Sequence, residues 1–328
     1  MDRPHVAIKS LEANTTVEGI YNLVNPQVGV TRQNQPYLKC LLRDATGEVA
    51  ARKWRFNESD MPLLTRTGFV WIAGRTELYN DQPQLILDEI RATEVDEHDL
   101  ATLLPTTNRD IGEMFDRLRE ILGTIAHPGM RALMDAYLGD DQLMLNFRRC
   151  PAAVSLHHAW IGGLLEHTLQ LLELADRMLP LYPGLSRDIV LAGLFLHDLA
   201  KTFELSWERG FSYTLDGNLI GHVVRGAIIL QIKAAMAAKA SGHPLPADAV
   251  RVLQHIVLSH HSLPEHGAAR IPGTPEAIFV AMLDNLDAKT QMALSAVDRD
   301  GTAPGDSAFT DRVWALDTRL YRPDPLAE

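Results

Sequence analysis

Residues 188–201 read DIVLAGLFLHDLAK. The run fits a helix with a period of 3.6 and is apolar until its last turn, where it meets His197 and Asp198. An imidazole and a carboxylate on an apolar helix cost free energy unless they are paired or bind a metal. Adjacent helical residues point about 100° apart, so both can reach one ion lying against the helix end.

Four further segments on either side repeat this anomaly. Upstream, His157, Trp160, Leu164, His167 and Leu171 recur at steps of three and four and share a helix face. Downstream, His222 follows Gly221 at a helix start, and His260-His261 closes another apolar helix. Asp284 and Asp287 lie three apart on a further helix, where the apolar flanks Leu283 and Leu286 favour an inward-facing carboxylate. Of the 13 histidines, ten fall between His157 and His266, a clustering that no single core histidine explains. Imidazoles and carboxylates without thiolates suit a borderline or hard divalent ion. Six or seven such ligands exceed what one ion needs, so one or two ions are expected. Mn²⁺ is the first choice, with Mg²⁺, Fe²⁺, Co²⁺ and Ni²⁺ as alternatives. His255 lies about 140° around its helix from His260 and reads as structural.

Helical periodicity covers residues 111–298, with Asp110 and Ser186 as N-caps and Pro275 at a helix start. Residues 1–93 have a different period. VEGIYNLV, PYLKCLLRDATGEVAARKW, FVWIAGRTELY and PQLILDEIRATEV read as five strands, with turns at Asp44-Ala45-Thr46-Gly47 and Asn80-Asp81-Gln82-Pro83. Five strands at this size suggest a small closed OB-like barrel. The expected fold class is therefore a five-stranded OB-like β-barrel followed by an all-α domain. Residues 94–110 read as a linker. In the tail 299–328, Phe309, Val313, Trp314, Leu316 and Leu320 could form one docking helix.

Composition narrows the function. Residues 1–93 hold 11 Lys+Arg and 11 Asp+Glu, so the remainder carries the whole net charge of −11. That excludes a general nucleic-acid binder working by overall positive field, and an acidic second half suits a site that collects cations. The chain has no apolar run of 18 residues and no secretory signal at its N-terminus, so neither a membrane span nor export is expected. Cys40 and Cys150 are too far apart in sequence to suggest a disulfide framework; they read as small buried side chains in a reducing cytoplasm. The apolar helix GAIILQIKAAMAAKA could face the core or a partner, which leaves room for a homo-oligomer.

The order H…HD…H…HH…D on successive helices resembles the HD superfamily of metal-dependent phosphohydrolases over about residues 156–290. More closely, GGLLEHT (162–168), LHDLAK (196–201), LIGHV (219–223), LQHIVLSHH (253–261) and LDNLDAK (283–289) look like the HD domain of YhaM-type 3′–5′ exoribonucleases, which also carry an OB-fold ahead of it. The resemblance implies that His167, His197, Asp198 and Asp284 surround one metal. It assigns His222, His260 and His261 to a second metal or to the phosphate, and Lys201 to a phosphate oxygen. His222 joins Asp198 and Lys201 as candidate catalytic residues, and Asp198 is expected to bridge if two metals bind. The family often has Gly where this chain has Ala200. His157, His158 and Asp287 are candidates for the substrate side, although packing suits the two histidines as well and support of the metal ligands suits Asp287 better.

A metal held this way makes bound water a nucleophile at neutral pH. A barrel in front suggests a polymer held while its end is cut. Tyr37, Lys39, Arg52, Lys53, Trp54, Arg55 and Phe56 are candidates for stacking and charge contacts with single-stranded RNA or DNA. Strand alternation would put Lys53 and Arg55 on one face and Trp54 and Phe56 on the other, with barrel core as the alternative role for the two aromatics. Two other functions stay open: a phosphohydrolase of small nucleotides whose barrel serves assembly or regulation, and a non-catalytic nucleic-acid-binding regulator.

Overall fold

The computed structural model describes residues 5–79, 82–154, 158–299 and 308–326. His157, and Asn80 and Asp81 of the expected turn, therefore lie outside the described residues, while Gln82 and Pro83 already belong to a strand. The chain divides into two compact units, residues 1–106 with 206–212, and residues 107–205 with 213–328.

The first unit is a closed barrel of β1 (Thr16–Val30), β2 (Pro36–Asp44), β3 (Gly47–Trp54), β4 (Phe69–Tyr79) and β5 (Gln82–Ala92) in the order β1-β2-β3-β5-β4. All pairings are antiparallel except β3 with β5, and β1 closes the ring on β4 with Ile20 opposite Trp71. This is an OB-type barrel. Helix α1 (Met61–Thr67) sits between β3 and β4. Period-two alternation makes the core: Val17, Tyr21, Leu38, Leu42, Val49, Ala51, Ile72, Leu85 and Leu87 point inward. The Asp44–Gly47 turn closes as read, since the Asp44 carboxylate accepts from the Thr46 and Gly47 amides at 2.7 and 3.1 Å. The 94–110 stretch is partly ordered: α2 (Glu97–Leu103) occupies its middle, and Ala45 donates to the Thr102 carbonyl at 3.1 Å.

The second unit is helical. Its main helices are α3 (Ile111–Leu122), α4 (Pro128–Leu138), α5 (Asp141–Arg149), α6 (Gly163–Met178), α7 (Arg187–Leu196), α8 (Lys201–Glu204), α9 (Leu215–Leu219), α10 (Gly221–Ser241), α11 (Ala247–Ser259) and α12 (Pro275–Arg299). Short strands β6 (Leu205–Ser206) and β7 (Ser212–Tyr213) follow α8. Helix α7 is apolar on every side because it is the central helix, contacting α4, α6, α11 and α12. Phe195 meets Phe147 and Tyr137 edge-on at 5.8 and 6.1 Å.

Asp110 caps α3 by accepting from the Glu113 amide at 2.8 Å. Ser186 stands at the N-cap of α7 but makes no side-chain cap bond; its amide donates to Glu276 instead. Helix α10 resolves both ways, burying His222, Val223, Gly226 and Leu230 while Val224, Ile228, Ile232 and Met236 stay exposed. The tail holds no docking helix among its described residues. Bridges pair Phe309 with Tyr321 and Val313 with Thr318, and Asp317 turns at φ +54°. A left-handed residue inside that stretch is incompatible with a continuous helix. No helix among the described residues is long and apolar enough to cross a membrane.

Candidate metal centre

The central helix delivers the doublet. Helix α7 ends at Leu196, and His197 and Asp198 follow in its last turn, both buried. Lys201 donates its amide to the Asp198 carbonyl at 2.8 Å and starts α8, so the doublet sits at a sharp helical corner. Ala200 adopts φ −74°, which any residue reaches, so the corner needs no glycine there.

Helices α6, α10, α11 and α12 bring the remaining groups to this corner. His167 Nε2 lies 3.3 Å from Asp284 Oδ1 and 3.4 Å from His197 Nε2. His197 Nε2 is 3.5 Å from Asp198 Oδ2. On the other side of the same carboxylate, His222 Nε2 and His260 Nε2 approach Asp198 Oδ1 at 3.3 and 3.4 Å. Two sets of donor atoms meet at Asp198, His167–His197–Asp284 and Asp198–His222–His260–His261, each within 4.8 Å; a third, His158–His167–Asp287, lies behind His167. Asp198 faces both sets, one oxygen to each.

The imidazoles are fixed from behind. His197 Nδ1 donates to the Leu194 carbonyl at 2.7 Å, and His260 Nδ1 donates to Val257 at 2.9 Å. A carbonyl only accepts, so in the neutral ring each proton sits on Nδ1 and the Nε2 lone pair faces the cluster. His167 Nδ1 lies 2.7 Å from Asp287 Oδ2, which also meets His158 Nε2 at 3.0 Å.

The charges respond to burial and to each other. Burial pushes His197 down to about 4, so it is neutral near pH 7. Burial also opposes the His167 cation, but hydrogen bonds to Asp284 and Asp287 outweigh it and raise His167 to about 9. Burial works against the Asp198 carboxylate too; Lys201, 2.7 Å away, and His197 hold it well below the usual range.

A divalent cation fits this donor set. The Nε2 lone pair of neutral His197 confronts an oxygen of the ionised Asp198 carboxylate 3.5 Å away, an arrangement that is repulsive unless positive charge lies between them. Asp198 Oδ1 and His260 Nε2 are buried without a hydrogen bond, which is costly in a protein interior unless something else binds them.

The remaining candidates take the following places. His158, a candidate for the substrate side, is buried at φ +49° on Asp287. Asp287 is itself buried, facing His167 and His158 rather than an open substrate surface. Lys201, assigned to a phosphate by resemblance, has its ammonium on Asp198. His255 accepts from the Gly273 amide at 2.7 Å and belongs to neither donor set. Two acids went unread in the sequence. Glu204 lies 2.6 Å from His222 Nδ1, and Glu166 accepts from Trp160 Nε1 at 2.8 Å and from the Thr107 hydroxyl at 2.7 Å. Their only sequence signal was proximity to Lys201 and His167.

On the barrel, strand register regroups the candidate face. Tyr37 pairs with Trp54 and Lys39 with Arg52; the Tyr37 and Trp54 rings lie 5.1 Å apart, with the Arg52 guanidinium 6.0 Å from Trp54. Trp54 is 41% exposed and Phe56 only 4%. Arg55, at φ +53°, breaks the alternation that would have put Trp54 and Phe56 together. Lys53 pairs with buried Leu38, so the cations beside Trp54 are Arg52 and Lys39 rather than Lys53 and Arg55.

An OB-type barrel joined in one chain to a helical His/Asp metal centre of this order defines an HD-type metal-dependent hydrolase. The HD domain family matches residues 164–289. The chain is 34% identical over 298 residues to the 3′-5′ exoribonuclease YhaM of Geobacillus sp. (strain WCH70), covering 90% of this chain and 88% of that one. It is 32% identical over 297 residues to the 3′-5′ exoribonuclease YhaM of Bacillus subtilis (strain 168), covering 90% and 91%. The chain belongs to the YhaM family of HD-domain proteins. Among solved structures, the second OB-fold domain of replication protein A from Methanococcus maripaludis aligns with 28% of this chain and 97% of its own, at 14% identity and TM-score 0.21.

Proposed function

We propose that this chain is a metal-dependent 3′–5′ exonuclease acting on single-stranded RNA, with single-stranded DNA as a second substrate. The observation that carries the reading is Asp198, one carboxylate set between two donor groups in a chain whose relatives named above are 3′-5′ exoribonucleases. His167, His197, Asp284 and Asp198 Oδ2 would hold one cation, and His222, His260, His261 and Asp198 Oδ1 a second. Bound there, a divalent ion supplies a nucleophilic water at neutral pH and offsets charge on the phosphoryl oxygens. Imidazole and carboxylate donors without sulfur suit a borderline or hard divalent ion, with Mn²⁺ as the first candidate.

The chain's own residues do the rest. Asp287 and the Leu194 and Val257 carbonyls keep His167, His197 and His260 in one orientation. Lys201 holds Asp198 ionised and in place. On the barrel, Tyr37 and Trp54 offer ring faces to bases, and Arg52 and Lys39 offer charge to the backbone. The barrel's neutral balance gives modest affinity on its own. The buried, unpaired Cys40 and Cys150 suit a reducing cytoplasm.

The test uses metal-stripped protein and 5′-labelled single-stranded RNA or DNA, adding Mn²⁺, Mg²⁺, Co²⁺, Ni²⁺ or Zn²⁺ singly. A ladder shortening by one nucleotide at a time is expected, strongest with Mn²⁺. Hydrolysis of mononucleotides or cyclic nucleotides alone would assign the centre to small substrates. Binding without cleavage in every metal would make the chain a regulator.

A further inference from the structure

Glu204 belongs to neither donor set, yet both of its carboxylate oxygens engage a single residue. Oε2 lies 2.6 Å from His222 Nδ1, and Oε1 accepts from the His222 amide at 3.3 Å. The grip is built by the surrounding chain. Thr214 donates its amide to the Glu204 carbonyl at 2.9 Å. A side chain at Gly217 would collide with that same carbonyl, and Gly221, at φ +75°, turns the chain into α10 immediately before His222. Glu204 thus stands behind a buried imidazole on a fixed stretch of backbone.

His222 differs in this from His197 and His260. His197 and His260 rest on backbone carbonyls, which the helices supply regardless of side chain. His167 has Asp287 on the opposite donor set. In the Asp198–His222–His260–His261 set, His222 is the member with a side-chain carboxylate against its Nδ1, and its Nε2 lies 3.3 Å from Asp198 Oδ1.

We propose that Glu204 is a positioning residue that sets the occupancy of the second cation position by orienting His222, without acting on the first. The proposal rests on the two-cation reading above. A carboxylate behind a metal-binding imidazole fixes ring rotation and strengthens the facing nitrogen as a donor, and its loss typically costs about 10–100-fold in metal affinity.

The test titrates metal-stripped full-length protein with Mn²⁺ by calorimetry and measures bound metal per chain. Wild type, Glu204→Gln, His222→Ala and the double variant are compared, with thermal unfolding of each metal-free form as the folding control. Wild type is expected to bind two ions. Glu204→Gln should keep the tighter site unchanged and weaken the other about 10–100-fold. Because Glu204 acts through His222, the double variant should lose no more than His222→Ala alone. Should Glu204→Gln unfold, Glu204→Asp takes its place, and a second-site affinity equal to wild type would overturn the proposal. So would wild-type affinity at both sites in Glu204→Gln, or additive losses in the double variant. A wild type that binds one ion at saturation fails differently: it removes the two-cation reading itself.

Discussion

The barrel core and the corner at the end of α7 are equally dry and opposite in content. Leu38, Leu42, Ala51, Ile72 and Leu85 fill the barrel with no polar atom to satisfy. Around α7, His167, His197, Asp198, Lys201 and His260 are as inaccessible. An apolar interior stabilises by removing area from water, about 25 cal/mol per Å². A polar interior does so only where every group has a partner. The corner leaves Asp198 Oδ1 and His260 Nε2 without a hydrogen bond, so its arrangement is not one that folding alone selects. The difference separates a region built for stability from one built to hold something.

Substitutions should respond accordingly. The largest effect is expected from Asp198→Ala, which removes the carboxylate that faces both donor sets and should bring RNA hydrolysis to background with loss of bound metal. Substantial metal-dependent hydrolysis in that variant would erase the contrast between the two interiors. In the barrel, Leu42→Ala should cost about 2–5 kcal/mol of stability, read as a lower midpoint in denaturant, while bound metal per folded chain stays at the wild-type value. Asp287→Asn tests the support behind His167 and should weaken the first cation about 10–100-fold, measured by Mn²⁺ titration. Trp54→Ala should weaken single-stranded RNA binding by about 1–3 kcal/mol with hydrolysis of a dinucleotide unchanged. Phe56, although adjacent in sequence, is core, and Phe56→Ala should lower the unfolding midpoint instead. Smallest of all, Arg55→Ala should change RNA binding less than Arg52→Ala, as gel-shift titrations would read.

What the sequence made legible follows from the same contrast. Period-two alternation exposed the barrel, because its core is uniform enough for pattern to survive. The donor set was legible for the opposite reason: His197-Asp198, His260-His261 and Asp284 interrupt apolar helices, and a break in a strong pattern is itself a signal. Contacts made through tertiary structure stayed hidden. Glu204 reads as an ordinary acid in KTFELSW until the turn at Gly217 and Gly221 brings His222 onto it. The pairing of His158 with Asp287 spans 129 positions and has no local trace. The grouping of Trp54 with Phe56 failed on one dihedral, the left-handed Arg55 that ends the alternation. The helix expected in the tail gave way to a bridged turn through Asp317, because isolated short helices are marginal without a packed face.

The central claim is that the His/Asp corner is the hydrolytic centre. Adding Mn²⁺ stepwise to metal-stripped protein, while following both bound metal and shortening of a 5′-labelled RNA, tests it most directly. Shortening should rise with occupancy in the wild type and be absent at every occupancy in Asp198→Ala. Shortening at full rate by the metal-stripped wild type, or by Asp198→Ala, would contradict it.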